Sequence, residues 1–135
     1  MSKIMDLIVS HEGVRYLPYK DSLGIQTIGA GHNLTKPLSS GAVMLILADD
    51  IADARHDCYT FDWFPYLGSV RQAVVIDMIF NMGLARFKGF KNTISHLARG
   101  TYSAAALEML DSKWATQVGK RALELSNMMR TGEWQ

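Results

Sequence analysis

The chain carries a single cysteine, almost no net charge and no long apolar run, and each scarcity removes a class of protein. A lone Cys58 cannot build an intramolecular disulfide framework, so packing must hold the fold and the composition suits a reducing compartment. A formal net charge of +1 argues against nonspecific attraction to polyanions, and no clustered basic stripe marks a nucleic-acid partner. The charge is only mildly uneven: residues 1–60 carry 5 basic and 7 acidic side chains, residues 61–135 carry 9 and 6. No run approaches the ~20 apolar residues of a membrane span, so no stable membrane association is expected. The opening "MSKIMDLIVSHEG" is too short, and too broken by Asp6, to read as a signal peptide. The four histidines, at 11, 32, 56 and 96, lack the close pairing of metal ligands, so no metal or cofactor is expected. Repeats and low-complexity tracts are absent too.

What is present is apolar. Hydrophobic residues make up 48% of 135 positions, enough for one domain with a sizeable core and too many for a disordered chain. Ser2 is placed to cap a first helix with Ile4, Met5, Ile8 and Val9 at helical spacing, and Gly13 is a natural stop. Residues 14–34 then alternate aromatic and β-branched residues with turn formers, which predicts two or three short antiparallel strands and a tight turn over Asp21 to Gly24. Ser39 or Ser40 caps a long helix with a stripe of Val43, Met44, Leu47, Ile51 and Ala54. Cys58 falls at its end as a half-buried structural thiol. "SVRQAVVIDMIFNMG" predicts a helix capped by Ser69, stopped by Gly83 and apolar almost all round, the pattern of a bundle centre. Helices are expected near 84–88 and 91–99, along "SAAALEMLDSKW" from Ser103, and over about 117–130. The reading is α+β: a small antiparallel sheet lobe (about 14–38) and a larger helical lobe (about 1–12 and 58–135), joined by a long helix (about 39–58), all within one domain, 1–135.

The chemistry concentrates in "HEGVRYLPYKDSLGIQTIGAGHN", residues 11–33. Glycosidic bonds are commonly hydrolysed between two carboxyl groups, one protonated and one ionised. At a helix C-terminus, Glu12 faces the negative end of the dipole, and partial burial would act in the same direction, holding its proton. Asp21, in a polar turn, keeps its charge more readily, which divides two like groups into acid and base. By spacing alone, Glu12 reads equally as a surface helix end and Asp21 as a turn former.

The longer string resembles the phage lysozyme family of the T4 type. Glu12-Gly13, Tyr19-Lys20-Asp21, Thr27-Ile28-Gly29 and Gly31-His32 carry the resemblance at one end. "DMIFNMG" (77–83), "GFKNTI" (89–94), "SKWATQVGKRA" (112–122) and "MRTGEW" (129–134) carry it in the same order at the other. The resemblance implies a T4-lysozyme-like fold and a muramidase that cleaves the β-1,4 bond from N-acetylmuramic acid to N-acetylglucosamine in peptidoglycan. It implies that Glu12 is the general acid, that Asp21 orients or deprotonates the attacking water, and that Thr27 helps hold it, with inversion at the anomeric carbon. Phe80, Asn81 and Thr93 match positions lining the saccharide cleft, although an aromatic in a central helix also reads as core. Asn33 and Glu108 align with cleft positions but differ in residue type. His32 matches a structural support of the sheet lobe, with a salt bridge as its alternative, and Arg121 matches an arginine near the catalytic glutamate.

Two departures from the family stand out. "LTKPLSS" runs straight into the long helix where T4-type members have an extra helix and loop, so a reduced small lobe is expected. The near-neutral charge also contrasts with strongly basic members, weakening long-range attraction to an anionic wall. A monomeric endolysin is expected, held in the host cytoplasm until a holin lesion admits it to the periplasm or wall. A lytic transglycosylase or chitinase on a related fold, and a wall-binding relative without turnover, are the rival readings.

Overall fold

A computed structural model describes residues 2–135, and the chain forms two compact units, Met1–Met44 and Leu45–Gln135. In the first, α1 (Lys3–Glu12) starts where Ser2 Oγ accepts from the Met5 amide at 3.3 Å and ends at Gly13, whose N–H reaches Val9 O at 2.8 Å. Three antiparallel strands follow in the order β1 (Arg15–Lys20), β2 (Gln26–Gly29) and β3 (His32–Asn33). Tyr19 pairs with Thr27 and Thr27 with Asn33, so Thr27 sits in the middle of the sheet. Register is irregular between Arg15 and Tyr19, the stretch that contains Pro18. Proline donates no ladder hydrogen bond, and β1 is an edge strand, where such an interruption is tolerated.

The long helix α2 (Ser40–Cys58) is capped by Ser39, whose Oγ accepts from the Ala42 amide at 3.1 Å, and the division between the two units falls within it. Its buried stripe is shorter than the sequence pattern: Ala54 and Cys58 are buried, Ile51 partly, while Val43 and Met44 are exposed. Cys58 is fully buried, not half-buried. Desolvation pushes its thiol up to about 12, with the Asp57 charge adding to the effect.

In the second unit a 3-10 turn (Phe64–Tyr66) precedes α3 (Ser69–Met82), α4 (Leu84–Lys88) and α5 (Lys91–Arg99). They are followed by α6 (Tyr102–Leu110), α7 (Lys113–Val118) and α8 (Lys120–Thr131). As the pattern predicts, α3 is a core helix, burying Val74, Val75, Ile76, Met78, Ile79 and Met82. Its N-cap is Gly68 instead of Ser69, which is the first helical residue. The segment "SAAALEMLDSKW" is broken, not continuous. α6 stops at Asp111, and Ser112 starts a new helix by accepting from the Ala115 amide at 3.1 Å. Gly119, at φ +58, then separates α7 from α8, so the last helix begins at Lys120 and not near 117.

α8 packs on α3, α6 and α7. Buried Ser126 donates to Ala106 O at 3.0 Å, tying α8 to α6 without an unsatisfied hydroxyl. Arg71 of α3 donates to Met129 O at 2.7 Å and to Arg130 O at 3.1 Å, and lies 4.1 Å from the Tyr102 ring centre. It thus supplies positive charge and donors to carbonyls at the C-terminal end of α8.

Candidate active site

The first unit holds two of the expected residues, Asp21 and Thr27, in one bonded arrangement. Asp21 opens the turn between β1 and β2. Its Oδ1 accepts from the amides of Leu23 at 2.8 Å and Ile25 at 2.9 Å, and its own N–H donates to Ile25 O at 3.0 Å. Thr27 Oγ1 donates to the same Ile25 carbonyl at 2.8 Å. One peptide residue therefore fixes both side chains. The Thr27 hydrogen is committed to that carbonyl, so its oxygen meets any further partner as an acceptor. A carboxylate locked in rotation, with an accepting hydroxyl tied to the same backbone, suits a water that donates to both. Thr27 is also the one buried residue among those described in this unit, at 4% exposure.

Glu12 is the last residue of α1 and is exposed, so the expected partial burial is not found. Its side chain lies over Gly31. A methyl group there would come within 3.0 Å of Glu12 Cδ and Oε2, and Gly31 has φ +77. Glycine is required twice, by conformation and by space. Asn33, across from Thr27, directs Oδ1 to Thr35, accepting from its amide at 2.8 Å and its hydroxyl at 2.6 Å. Among the described residues of this unit, the Asn33 side-chain nitrogen is the group left uncommitted. His32 pairs across β3 with Ile28, is exposed, and forms no ion pair among the described residues.

Of the candidates in the second unit, Phe80, Arg121, Thr93 and Glu108 line two recesses, and Asn81 lines neither. Asp77, Phe80 and Asn81 share a face of α3 at i, i+3 and i+4. Phe80 is 43% exposed and is therefore not core. Phe80 and Arg121 line a recess of about 320 Å³ with Ile51 and Asp77. Arg121 Nε donates to Asp77 Oδ1 at 2.8 Å. Half-exposed pairs of this kind contribute little to stability, so the bond's consequence is orientation of the guanidinium. Thr93, buried, and Glu108 line a second recess of about 190 Å³ with Phe90 and Asn92, and Asn92 donates to Glu108 at 3.5 Å. Asn81 Oδ1 accepts from Trp114 Nε1 at 2.8 Å, and the Trp114 ring meets Phe90 edge-on at 6.0 Å. Among the described residues no group of His, Cys, Asp or Glu is gathered to hold a metal ion.

Comparison with known proteins matches the description "Phage lysozyme" over residues 9–131, nearly the whole chain. The chain belongs to the phage lysozyme family. Two proteins of Dictyostelium discoideum, named probable T4-type lysozyme 1 and 2, are 24% and 23% identical to it. Each alignment covers 98% of this chain and 96% of the relative over 163 positions, more than this chain's length, so the relatives carry segments it lacks. The T4-lysozyme-like α+β fold expected from the sequence is the fold observed, and phage lysozyme membership makes the protein a lysozyme-type glycoside hydrolase.

Three site features escaped the sequence reading. Ile25 acts through its peptide group, which any residue type supplies, so its identity carries no signal. Asp77 did leave one: a lone acid inside "VVIDMIF" needs a basic partner, and Arg121 is that partner. Trp114 likewise carries an indole N–H that, once buried, needs an acceptor, which Asn81 provides.

Proposed function

We propose that the protein is a muramidase hydrolysing the β-1,4 bond between N-acetylmuramic acid and N-acetylglucosamine in peptidoglycan, with inversion. In this mechanism Glu12 gives its proton to the departing glycosidic oxygen. Water attacks the anomeric carbon from the opposite face and loses one proton to Asp21, while its other O–H, which stays on the product hydroxyl, donates a hydrogen bond to Thr27 Oγ1. The two carboxyl groups then stand roughly 6.5–9.5 Å apart in the working enzyme, leaving room for the water. Phe80, Asn81, Thr93 and Glu108 are the saccharide-contacting candidates of the second unit and Asn33 that of the first, where His32 supports the sheet. Arg121, held by Asp77, is a supporting residue of the second unit.

The observation that carries this reading is the joint anchoring of Asp21 and Thr27 to Ile25. It also favours hydrolysis over a transglycosylase, which needs no activated water. We further propose a lytic role, in which the monomeric enzyme waits in the host cytoplasm for a holin lesion. Glu12→Gln is the direct test. On purified walls it should lower release of reducing sugar by about a thousandfold with an unchanged unfolding midpoint. Full activity would remove Glu12 as the acid. Product analysis divides the alternatives, since hydrolysis with inversion yields a reducing end of opposite anomeric form and a transglycosylase yields anhydro-muramic ends.

A further inference from the structure

The second unit contains a larger groove, about 700 Å³, that shares no lining residue with the Phe80 and Thr93 recesses. Phe61, Trp63, Tyr66 and Tyr102 supply its aromatic lining, and Asp62 and Arg99 its charges. The groove is held in shape from below. Phe64, fully buried, anchors the 3-10 turn, its ring meets Tyr59 edge-on at 5.1 Å, and its carbonyl accepts from Gln72 at 3.3 Å. Trp63 stacks on Phe61 with ring centres 4.9 Å apart and planes inclined by 23°, so one indole face is covered while the residue stays partly exposed. Arg99 is steadied by donating to Ser95 Oγ at 2.7 Å. Tyr66 is left 87% exposed beside these groups.

We propose that this groove is a second saccharide site, which holds a glycan strand of the wall apart from the bond being cut. The proposal rests on the muramidase reading for the identity of the glycan. Sugar rings present C–H faces that lie on aromatic rings and equatorial hydroxyl and N-acetyl groups that hydrogen-bond in the ring plane. A lining of aromatic rings with a few fixed polar groups matches both demands. One acidic and one basic side chain balance, which fits a neutral polar ligand better than a polyanion. The charged rim also fits poorly with a purely apolar occupant.

The test uses the full chain in the Glu12→Gln background and two probes, chitotetraose and purified peptidoglycan sacculi. Chitotetraose should shift the amide resonances of residues 60–66 and 99–102. Tyr66→Ser, at a site too exposed to endanger folding, should weaken co-sedimentation with sacculi about fivefold, as should Asp62→Asn. With Glu12 restored, both substitutions should leave turnover of a short soluble glycan unchanged. Retention on sacculi identical in both variants, or no shift of the groove amides, overturns the proposal. Shifts produced by a stem peptide but not by chitotetraose overturn the glycan assignment. If the groove amides shift while the protein with Glu12 intact releases no reducing sugar from sacculi, the muramidase reading fails and the saccharide site stands.

Discussion

The two units are built by different means. Residues 2–44 bury one side chain, Thr27, and their order comes from hydrogen bonds at turns and caps: Ser2 to Met5, Asp21 to Leu23 and Ile25, Thr27 to Ile25, Asn33 to Thr35. Residues 45–135 hold every buried apolar residue, from Ala54 to Met129. Five rings, Trp63, Phe61, Phe87, Phe90 and Trp114, follow one another in contact through that core and end at the Asn81 bond. The candidate acid and base thus lie where polar geometry is set by the backbone, while packing supplies stability elsewhere. A polar site tolerates little burial, because each desolvated group needs a partner, and an apolar core tolerates few polar groups for the same reason. Substitutions in the two units should therefore fail in different ways.

The largest effect on stability belongs to the core. Phe87→Ala removes a fully buried ring that meets Phe61 edge-on at 5.5 Å and lies parallel to Phe90 at 6.1 Å. It should cost about 3–5 kcal/mol in urea unfolding. A loss below about 1 kcal/mol would mean that the ring series is not the centre of the packing. Gly31→Ala inverts the pattern. It forces φ +77 on a residue with a Cβ, at a strain of about 1–2 kcal/mol, and displaces the Glu12 carboxylate. The rate on purified walls should fall about tenfold, a larger proportional change than the shift in unfolding midpoint. A variant with unchanged rate would show that the contact with Gly31 does not position Glu12.

The last effect, negligible near neutral pH, is a pH dependence arising in the second unit. Above pH 9 the Cys58 thiol ionises in the unfolded chain, whose ordinary value is 9.0, while in the folded chain burial pushes it up to about 12. The unfolded state then binds fewer protons, so stability falls as pH rises between those values, by about 1.4 kcal/mol per pH unit at most. Urea midpoints of the parent and Cys58→Ala should diverge in slope only in that window. Parallel profiles would place the thiol in a wetter setting than its burial indicates.

Much of the second unit is legible in its periodicity, because core helices must repeat apolar residues every three or four positions. α3 is the clearest case, and its stop at Gly83 follows from the positive φ, +85, that glycine accepts. The break at Asp111–Ser112 was not legible, since "SAAALEMLDSKW" keeps its apolar spacing through a serine that only its bond to Ala115 reveals as a cap. In the first unit, residue type marked Glu12 and Asp21 as an ambiguous acid pair, and only the family resemblance singled out Thr27. What joins Asp21 to Thr27 is the peptide of Ile25, and backbone groups are the same at every position. Phe80 was ambiguous for a further reason: an apolar residue on an apolar helix gives no sign of which face turns outward.

The account's central claim is that Asp21 and Thr27 act as one device on one water. A double-mutant cycle of Asp21→Asn and Thr27→Val, read as the rate of reducing-sugar release from purified walls, tests it most directly. Asparagine keeps an oxygen for the Leu23 and Ile25 amides, so the turn survives and only the base is lost. The account predicts overlapping losses, with the double variant little slower than Asp21→Asn alone and a coupling above about 1 kcal/mol. Losses that multiply would mean that the two residues act independently, and would contradict it.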